Sequence, residues 1–307
     1  MKILVTGGAG FIGSNLVDAL IDKGHQVVVV DNLYMGRKQN LNPAAKFYLM
    51  DIRSPELARL FELEGIEVVY HEAAQMDVRR SVEDPMFDAG VNVLGSLNLL
   101  QNCVANKIKR IIFASTGGAV YGEQDYFPAD EEHPTRPCSP YGITKLSVEK
   151  YLFYFNLVFG LNYTILRYAN VYGPRQNPHG EAGVVAIFVK KLLAGDQPVI
   201  NGDGKQTRDF VFVGDVVQAN LLALSKGLND TFNVGTGIET DVNQIFHELN
   251  RIVGKNVPEK HGPSKEGEQL RSVISYQKTA KHLGWQPMVN LSDGLTKTVD
   301  YFRRYEK

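Results

Sequence analysis

The sequence lacks the features that mark several broad classes of protein. Its two cysteines, Cys103 and Cys138, argue against a disulfide framework and against a cysteine-based zinc site. No stretch reaches the ~18 consecutive apolar residues that span a bilayer. A net charge of −1 provides no basic face for nucleic acid or for an anionic membrane. We therefore expect a cytoplasmic protein without nucleic-acid or membrane partners, which binds small molecules or other protein chains.

The N-terminal segment has the pattern strand, glycine turn, helix, strand. An apolar run over residues 2–6 leads into glycines at Gly8, Gly10 and Gly13, spaced as G-x-G-x-x-G. Glycine allows a tight turn and close approach of a pyrophosphate, whose charge rests on the amides and dipole of a helix N-terminus. The second strand ends on Asp31, whose carboxylate suits a free ribose 2′-hydroxyl and not a 2′-phosphate. The segment therefore favours NAD over NADP, and a purely structural glycine turn is the alternative.

Strand and helix patterns continue to alternate through the following part of the chain. Strands are predicted at residues 46–50, 67–70, 110–114 and 163–168, and helices at residues 55–64, 86–106 and 141–159. This alternation predicts an α/β fold, a doubly wound parallel Rossmann sheet with ligands at the carboxyl ends of its strands.

The composition changes beyond Asn170, where glycine and proline become frequent. The elements predicted there are helices at residues 184–194, 240–253 and 292–305, a strand at 198–201, sheet-like segments at 207–215 and 232–235, and a helix between those two. We expect a smaller C-terminal α/β substrate-binding lobe. The predicted NAD-binding domain comprises residues 1–169 plus about 207–236, and the substrate-binding lobe comprises about 170–206 plus 237–307.

A tyrosine and a lysine four residues apart begin the helix predicted at residues 141–159. At this spacing Tyr141 and Lys145 share one helix face, so the ammonium can lie near the phenol. A phenol with a pKa of about 10 is a poor base at neutral pH, and a nearby positive charge favours its anion. The pair is a candidate general base and acid. Since Y-x-x-x-K also occurs by chance, its weight comes from the dinucleotide pattern that precedes it.

The glycine segment over residues 6–13 (TGGAGFIG), together with Tyr141 and Lys145, resembles the extended short-chain dehydrogenase/reductases. The likeness covers essentially the whole chain and indicates the NAD-dependent epimerase/dehydratase family, with UDP-glucose (UDP-galactose) 4-epimerases as the nearest group. It implies that Asp31 holds the adenosine ribose, Tyr141 is the base, and Lys145 holds the nicotinamide ribose. The implied NAD-binding residues are Gly7, Gly10, Phe11, Ile12, Gly13, Asp31, Asn32, Asp51, Ile52, Ala73, Ala74, Gln75, Asn92, Ser115, Tyr141, Lys145 and Tyr168.

The resemblance extends to three segments on the substrate side. In the family, the asparagine of RYANVYGP contacts the sugar diphosphate, the arginine of TRDFV binds the diphosphate of UDP, and the acid of GEQLRS takes the uridine ribose. The guanidinium group of arginine can bind a diphosphate through two parallel hydrogen bonds, which is a physical reason for Arg208 and Arg271 to stand in these segments. The implied substrate-binding residues are Thr116, Tyr141, Asn170, Val184, Val185, Arg208, Glu268 and Arg271.

The residues before the V-Y-G segment limit the reactions that this chain could catalyse. Dehydratases of this superfamily carry an Asp-Glu pair there, because eliminating water needs an acid and a base, and related decarboxylases carry a Glu. This chain has Gly118 and Ala119, which transfer no proton. The resemblance therefore implies a UDP-hexose 4-epimerase, in which Tyr141 takes the O4 proton while NAD takes the C4 hydride and returns it to the other face of the 4-keto sugar.

Two departures from the family pattern affect the details. Most 4-epimerases have Ser or Thr where this chain has Gly117. Thr116 and Ser115 are the nearest hydroxyls, and of these two we expect Thr116 to supply the catalytic hydroxyl through a shifted backbone. Ser272 replaces a bulky tyrosine of hexose-specific relatives, which leaves UDP-N-acetylglucosamine and UDP-glucuronate open beside UDP-glucose and UDP-galactose.

Two other functions are compatible with the dinucleotide pattern, and the apolar helix surfaces predict an assembly. A net nucleotide-sugar oxidoreductase would release its keto or reduced product, and a cofactor-binding sensor would lack the catalytic pair, which this chain retains. Apolar positions on the helices over residues 94–105 and 146–159 predict a homodimer, because relatives pair these helices.

Overall fold

The computed structural model describes residues 1–178, 183–264 and 269–305. The strands in this part of the chain are β1 (Lys2–Thr6), β2 (Gln26–Asp31), β3 (Lys46–Leu49), β4 (Val68–His71), β5 (Arg110–Thr116), β6 (Tyr163–Tyr168), β7 (Asn170–Tyr172), β8 (Ile200–Asn201), β9 (Thr207–Arg208), β10 (Phe210–Phe212), β11 (Asp230–Val234), β12 (Thr240–Asp241), β13 (His261–Gly262) and β14 (Arg271–Ser272). The α-helices are α1 (Phe11–Asp22), α2 (Leu57–Glu64), α3 (Val78–Glu83), α4 (Pro85–Ala89), α5 (Gly95–Ala105), α6 (Pro140–Phe159), α7 (Val184–Ala194), α8 (Val213–Ala223), α9 (Val242–Val253), α10 (Gln277–Leu283) and α11 (Leu291–Tyr305).

A parallel sheet organises the N-terminal half of the chain and extends to β11. Its 7 strands lie in the order β3-β2-β1-β4-β5-β6-β11, and each neighbouring pair is parallel. Strands rich in Val and Ile suit this position because both faces of a parallel sheet are buried. The carboxyl ends of all these strands meet at one edge, and the change of direction between β1 and β4 opens a crevice there.

Helices cover both faces of the sheet. Ile3 and Val5 of β1 pack into the cluster that includes α1 and α8, whereas Leu4 packs into the cluster that includes α2, α5 and α6. This alternation follows from the two-residue period of a strand. The predicted doubly wound α/β fold is confirmed.

A separate hydrophobic cluster forms a C-terminal lobe. Val189 of α7, Phe246 of α9 and Val299 of α11 are all buried in it. Three small sheets lie beside this cluster, with strand orders β10-β7, β12-β9-β14 and β13-β8. Strands β9 and β10 therefore lie outside the large sheet, whereas α8 and β11 pack with it.

The largest differences from the predicted elements lie at helix boundaries. The single helix predicted at residues 86–106 consists of α4, a π-helical turn at Gly90–Leu94, and α5. The sheet-like segment predicted at residues 207–215 already becomes helical at Val213. The short helix α3 had no strong apolar period; Asp77 starts it by accepting a hydrogen bond from the Arg80 amide. None of the helices in the three described ranges is long and apolar enough to cross a membrane.

A buried ion pair fixes α6 against the sheet. Arg167 of β6 donates to both carboxylate oxygens of Glu149 on α6, at 3.0 and 2.6 Å. The same carboxylate accepts a hydrogen bond from Ser115 of β5, and Arg167 also donates to the Tyr121 hydroxyl at 2.9 Å. Because α6 begins with the predicted catalytic pair, this network sets the position of that pair relative to β5 and β6.

Replacing Glu149 with alanine is expected to lower the free energy of unfolding by about 3–5 kcal/mol, because the substitution leaves the Arg167 guanidinium buried without its counter-charge. Urea denaturation of the purified variant measures this loss. Asp125→Asn is the matched control. It breaks the exposed pair with Arg136 and is expected to cost no more than about 1 kcal/mol. Equal effects of the two substitutions would contradict the structural role of the buried pair.

Candidate active site

The carboxyl ends of the large sheet border a cavity of about 1350 Å³, which exceeds the ~300–1,000 Å³ of a pocket for one drug-sized ligand. The predicted site residues that line it are Gly7, Gly10, Phe11, Ile12, Gly13, Asp31, Asn32, Asp51, Ile52, Ala73, Ala74, Gln75, Ser115, Thr116, Tyr141, Lys145, Tyr168, Asn170 and Arg208. Residues far apart in the sequence thus surround one space large enough for a dinucleotide and a second ligand.

The turn between β1 and α1 forms one end of the cavity. Gly7 has a φ of 71°, and a Cβ there would lie 2.7 Å from the Ala73 nitrogen of the neighbouring strand's extension. Gly10 is the residue before α1, and no side chain caps the N-terminus of this helix. The first amides of α1 can therefore bind an acceptor in the cavity. Close backbone approach and an uncapped helix N-terminus together suit a pyrophosphate.

Asp31 lies at the end of β2, beside this turn. Its carboxylate accepts the Leu33 amide at 2.7 Å and the Ala9 amide at 3.0 Å. Burial raises the pKa of Asp31, and these two hydrogen bonds act against that rise. A carboxylate has about four acceptor positions, so Asp31 retains capacity for ribose hydroxyls.

The predicted catalytic pair lies on the first turns of α6. The Lys145 ammonium donates to the Ala114 carbonyl at 2.8 Å and lies 6.0 Å from the centre of the Tyr141 ring. Burial lowers the pKa of Lys145 to about 8, while the charges of nearby carboxylates raise it. Burial also raises the pKa of Tyr141, and the charges of Asp88 and Glu72 raise it further. The direction for Tyr141 is therefore opposite to the expected lowering, because burial and the two nearby carboxylates all disfavour the phenolate.

Thr116 and Gly117 have different surroundings. Strand β5 continues through Thr116, which lines the cavity. A Cβ on Gly117 would lie 2.7 Å from Ile274 Cδ1, so this position faces packed apolar side chains. Thr116, the residue before the glycine, thus carries a hydroxyl at the cavity. Ser115 also lines the cavity, although its hydroxyl donates to Glu149.

Asn92 lies behind the cavity wall. Its side-chain oxygen accepts the Gln75 amide at 2.8 Å, and its amide group donates to the Gln75 carbonyl at 2.9 Å. Asn92 therefore holds the backbone of the segment that lines the cavity, and it is absent from the lining itself.

The residues predicted to bind substrate are divided among several places. Asn170 and Arg208 line both the main cavity and an adjoining cavity of about 160 Å³, to which Val184 and Val185 contribute. Arg271 binds Glu239 at 2.5 Å and stacks 3.7 Å above the centre of the Phe127 ring. These contacts place Arg271 outside the lining of either cavity. The predicted residue Glu268 lies outside the described residues.

Several cavity residues carried no prediction of function. Glu72, Arg80 and Gln269 all line the cavity. The position of Glu72, directly after a buried strand, is a signal that could have identified it, because ligands bind at the carboxyl ends of such strands. Arg80 and Gln269 lie in segments that tertiary packing brings to the site, and their sequence neighbourhoods carry no comparable signal.

Residues 3–235 match the model of the NAD dependent epimerase/dehydratase family. The chain belongs to this family. UDP-glucose 4-epimerase of Thermotoga maritima, solved with UDP-glucose, is 51% identical over 100% of both chains, with a TM-score of 0.98. UDP-glucose 4-epimerase of Thermus thermophilus, solved with NAD, is 43% identical over 99% of this chain and 100% of that chain, with a TM-score of 0.95. UDP-glucose 4-epimerase of Mycolicibacterium smegmatis is 44% identical over 99% of each chain.

NAD is the cofactor of this family, and the residues of this chain fit it. The glycine turn leaves room for a pyrophosphate, α1 presents uncapped amides, and Asp31 suits an unphosphorylated ribose. The predicted cofactor is confirmed.

Replacing Gly13 with alanine is expected to abolish stable retention of NAD, because the added Cβ would collide with the Gly7 carbonyl oxygen and distort the turn. The measurement is the amount of NAD released from purified protein by acid and quantified by chromatography. Gly90→Ala is the control, since a Cβ there meets no atom within 4 Å. Full NAD content in the Gly13 variant would refute the role of the turn.

Proposed function

We propose that this protein is an NAD-dependent 4-epimerase that interconverts UDP-glucose and UDP-galactose. The observation that carries the proposal is that Tyr141, Lys145 and Thr116 line the same cavity as Asn170 and Arg208. A proton-transfer group and candidate diphosphate ligands therefore face one space beside the NAD cradle. The similarity to UDP-glucose 4-epimerases over the whole chain supports the same reaction.

Tyr141 exchanges a proton with the sugar O4 in this proposal. NAD, when bound, accepts the hydride from C4 and returns it to the opposite face of the keto sugar. Since burial raises the pKa of Tyr141, removal of its proton depends on positive charge in the cavity, which Lys145 supplies in its ammonium form. Thr116 offers a hydroxyl for a hydrogen bond to O4.

The large sheet carries the proposed NAD site. Lys145 holds the nicotinamide ribose, Asp31 holds the adenosine ribose, and Asn92 supports the Gln75 backbone. The remaining NAD contacts are proposed for Gly7, Gly10, Phe11, Ile12, Gly13, Asn32, Asp51, Ile52, Ala73, Ala74, Ser115, Tyr141 and Tyr168. We assign residues 1–169 plus about 207–236 to the NAD-binding domain, because they include every strand of the large sheet and the helix α8 that covers it, together with β9 and β10 of the small sheets.

The C-terminal lobe carries the proposed UDP site, in residues about 170–206 plus 237–307. Arg208 and Asn170 are proposed to bind the diphosphate, since both line the main cavity as well as the smaller cavity beside it. Val184 and Val185 line the smaller cavity, and Glu268 is proposed to bind the uridine ribose. Arg271 is proposed as a further UDP ligand, and this role requires the guanidinium to leave Glu239.

Gly118 and Ala119 also line the cavity. Neither side chain can protonate or deprotonate C5 or C6 of a sugar, so this wall favours hydride chemistry at one carbon over elimination of water.

The decisive experiment incubates the purified holoenzyme with UDP-glucose without added cofactor and follows the anomeric protons by NMR. We expect conversion to an equilibrium mixture with UDP-galactose and no net NADH. Parallel incubations with UDP-N-acetylglucosamine and UDP-glucuronate test the other sugars. Absence of the C4 epimer in all three, with NAD present in the protein, would refute the proposed function.

The Tyr141→Phe variant is expected to turn over UDP-glucose about 10²–10⁴-fold more slowly, because it lacks the proton-transfer hydroxyl. Its affinity for UDP and its NAD content are expected to stay close to those of the wild type, since the ring is retained. Epimerisation rate and calorimetric titration with UDP give the two readings. A variant with near-normal turnover would exclude Tyr141 as the base.

We propose a homodimer formed through the outer surface of α6. This helix exposes large apolar side chains at helical spacing, with exposed fractions of 59% for Phe153, 47% for Tyr154 and 72% for Leu157. Leu94 of the neighbouring π-helical turn is 63% exposed. A contiguous apolar surface of this kind is typical of an interface between protein chains.

Leu157→Glu is expected to shift the protein from dimer to monomer, because it places a charge within the apolar surface. Light scattering after size exclusion measures the mass. Met288→Glu is the control, as Met288 is 74% exposed away from α6. A monomeric wild-type protein at micromolar concentration would refute the proposed assembly.

A further inference from the structure

Glu72 is a carboxylate in the cofactor cavity for which the proposed reaction has no use. It follows directly after β4 and lines the cavity. Its amide donates to the Thr6 carbonyl at 3.2 Å, which fixes this backbone to the end of β1. Its side chain accepts a hydrogen bond from the Tyr168 hydroxyl at 3.1 Å.

The strand register places Glu72 next to the anchor of Lys145. His71 of β4 pairs with Phe113 of β5, so Glu72 lies opposite Ala114. The Ala114 carbonyl accepts the hydrogen bond from the Lys145 ammonium. The Glu72 backbone therefore lies next to the residue that anchors the Lys145 ammonium, and both side chains line the same cavity. Adjacent strands are about 4.8 Å apart, and charges separated by several ångströms still interact in a partly buried site.

Holding this carboxylate in the cavity costs stability. Burial raises the pKa of Glu72 to about 7, while the charge of Lys145 and the hydrogen bond from Tyr168 lower it. With a pKa raised in the folded state, the contribution to stability is present below about pH 4.5 and is lost as pH rises through about 7.

Lys145 is the group that gains from it. Among the charges that raise the pKa of Lys145, that of Glu72 is the largest, ahead of Asp88 and Glu149. The Asp88 carboxylate is already satisfied by Thr144, Gln75 and Asn92, and Glu149 by Arg167. The ionisable groups that interact electrostatically with Glu72 are Tyr70 on β4, Tyr168 on β6, and Tyr141 and Lys145 on α6. On α8, the neutral side chain of Asn220 donates a hydrogen bond to the Tyr168 hydroxyl.

We propose that Glu72 is a positioning residue that acts through Lys145: its carboxylate is the counter-charge that keeps Lys145 in the ammonium form. This role rests on the proposed epimerase function, in which the ammonium holds the nicotinamide ribose and favours the Tyr141 anion. Glu72 thereby sets the highest pH at which the catalytic pair works.

The first test is the pH profile of kcat/KM for UDP-glucose, measured with the holoenzyme. Glu72→Gln keeps the shape of the side chain and removes the charge, and its alkaline limb is expected to fall at a pH lower by roughly one unit. Glu72→Asp, which keeps the charge, is expected to retain most of the wild-type limb. Glu123→Gln is the control, because it removes an exposed carboxylate from the rim of the same cavity. Superimposable limbs for wild type and Glu72→Gln would overturn the proposal.

The second test needs no activity. The melting temperatures of wild type, Glu72→Gln, Lys145→Met and the double variant are measured in the same excess of NAD at pH 5 and pH 8. At pH 8 we compare the change in melting temperature that Glu72→Gln causes in the wild type with the change that it causes in Lys145→Met. The substitution is expected to be more stabilising by about 2 °C in Lys145→Met, because the carboxylate there lacks its counter-charge. At pH 5 the two effects are expected to agree, since Glu72 is protonated. Additive effects of the two substitutions at pH 8 would overturn the proposed role of Glu72. A wild-type protein without epimerase activity would refute only the proposed function, because this test measures stability and not turnover.

Discussion

The hydrogen bond between Lys145 and the Ala114 carbonyl is the contact on which the site depends. It joins the first turns of α6 to the carboxyl end of β5, at the edge of the sheet where the neighbouring strands also end. Tyr141 lies one helical turn before the lysine, and Thr116 lies two residues after the alanine. One contact therefore sets the positions of the proposed base, the proposed cofactor ligand and the nearby hydroxyl relative to one another.

A network of buried charged side chains around α6 maintains this contact, although burial disfavours charged groups. Lys145, Glu149 and Arg167 are all buried, and each would be costly alone. The Arg167 guanidinium satisfies Glu149, and Glu149 in turn accepts from Ser115. Buried polar groups arranged in this way define a single position of α6 on the sheet, which is a stricter requirement than burial of its apolar face alone.

The sequence-based predictions were most accurate where a local interaction determines the structure. The glycine turn requires residues without Cβ, and Asp31 must end a strand beside it, so this local structure and the NAD site proposed there could be predicted from a single segment. The helix α7 begins and ends at the predicted residues for the same reason, since a glycine lies on each side of its apolar pattern. The π-helical turn within residues 86–106 could not be predicted, because its helical pattern is the same as that of a regular α-helix.

The sequence by itself determined the order of strands and helices, the glycine turn that we propose to receive NAD, and the proximity of Tyr141 to Lys145, because each depends on residues close together in the chain. Only the tertiary structure decided that Thr116 lines the cavity while Gly117 packs against Ile274, that Arg271 pairs with Glu239, and that burial raises the pKa of Tyr141. It also placed Glu72 beside the anchor of Lys145. These features depend on strand register and on desolvation, which arise from contacts between residues distant in sequence.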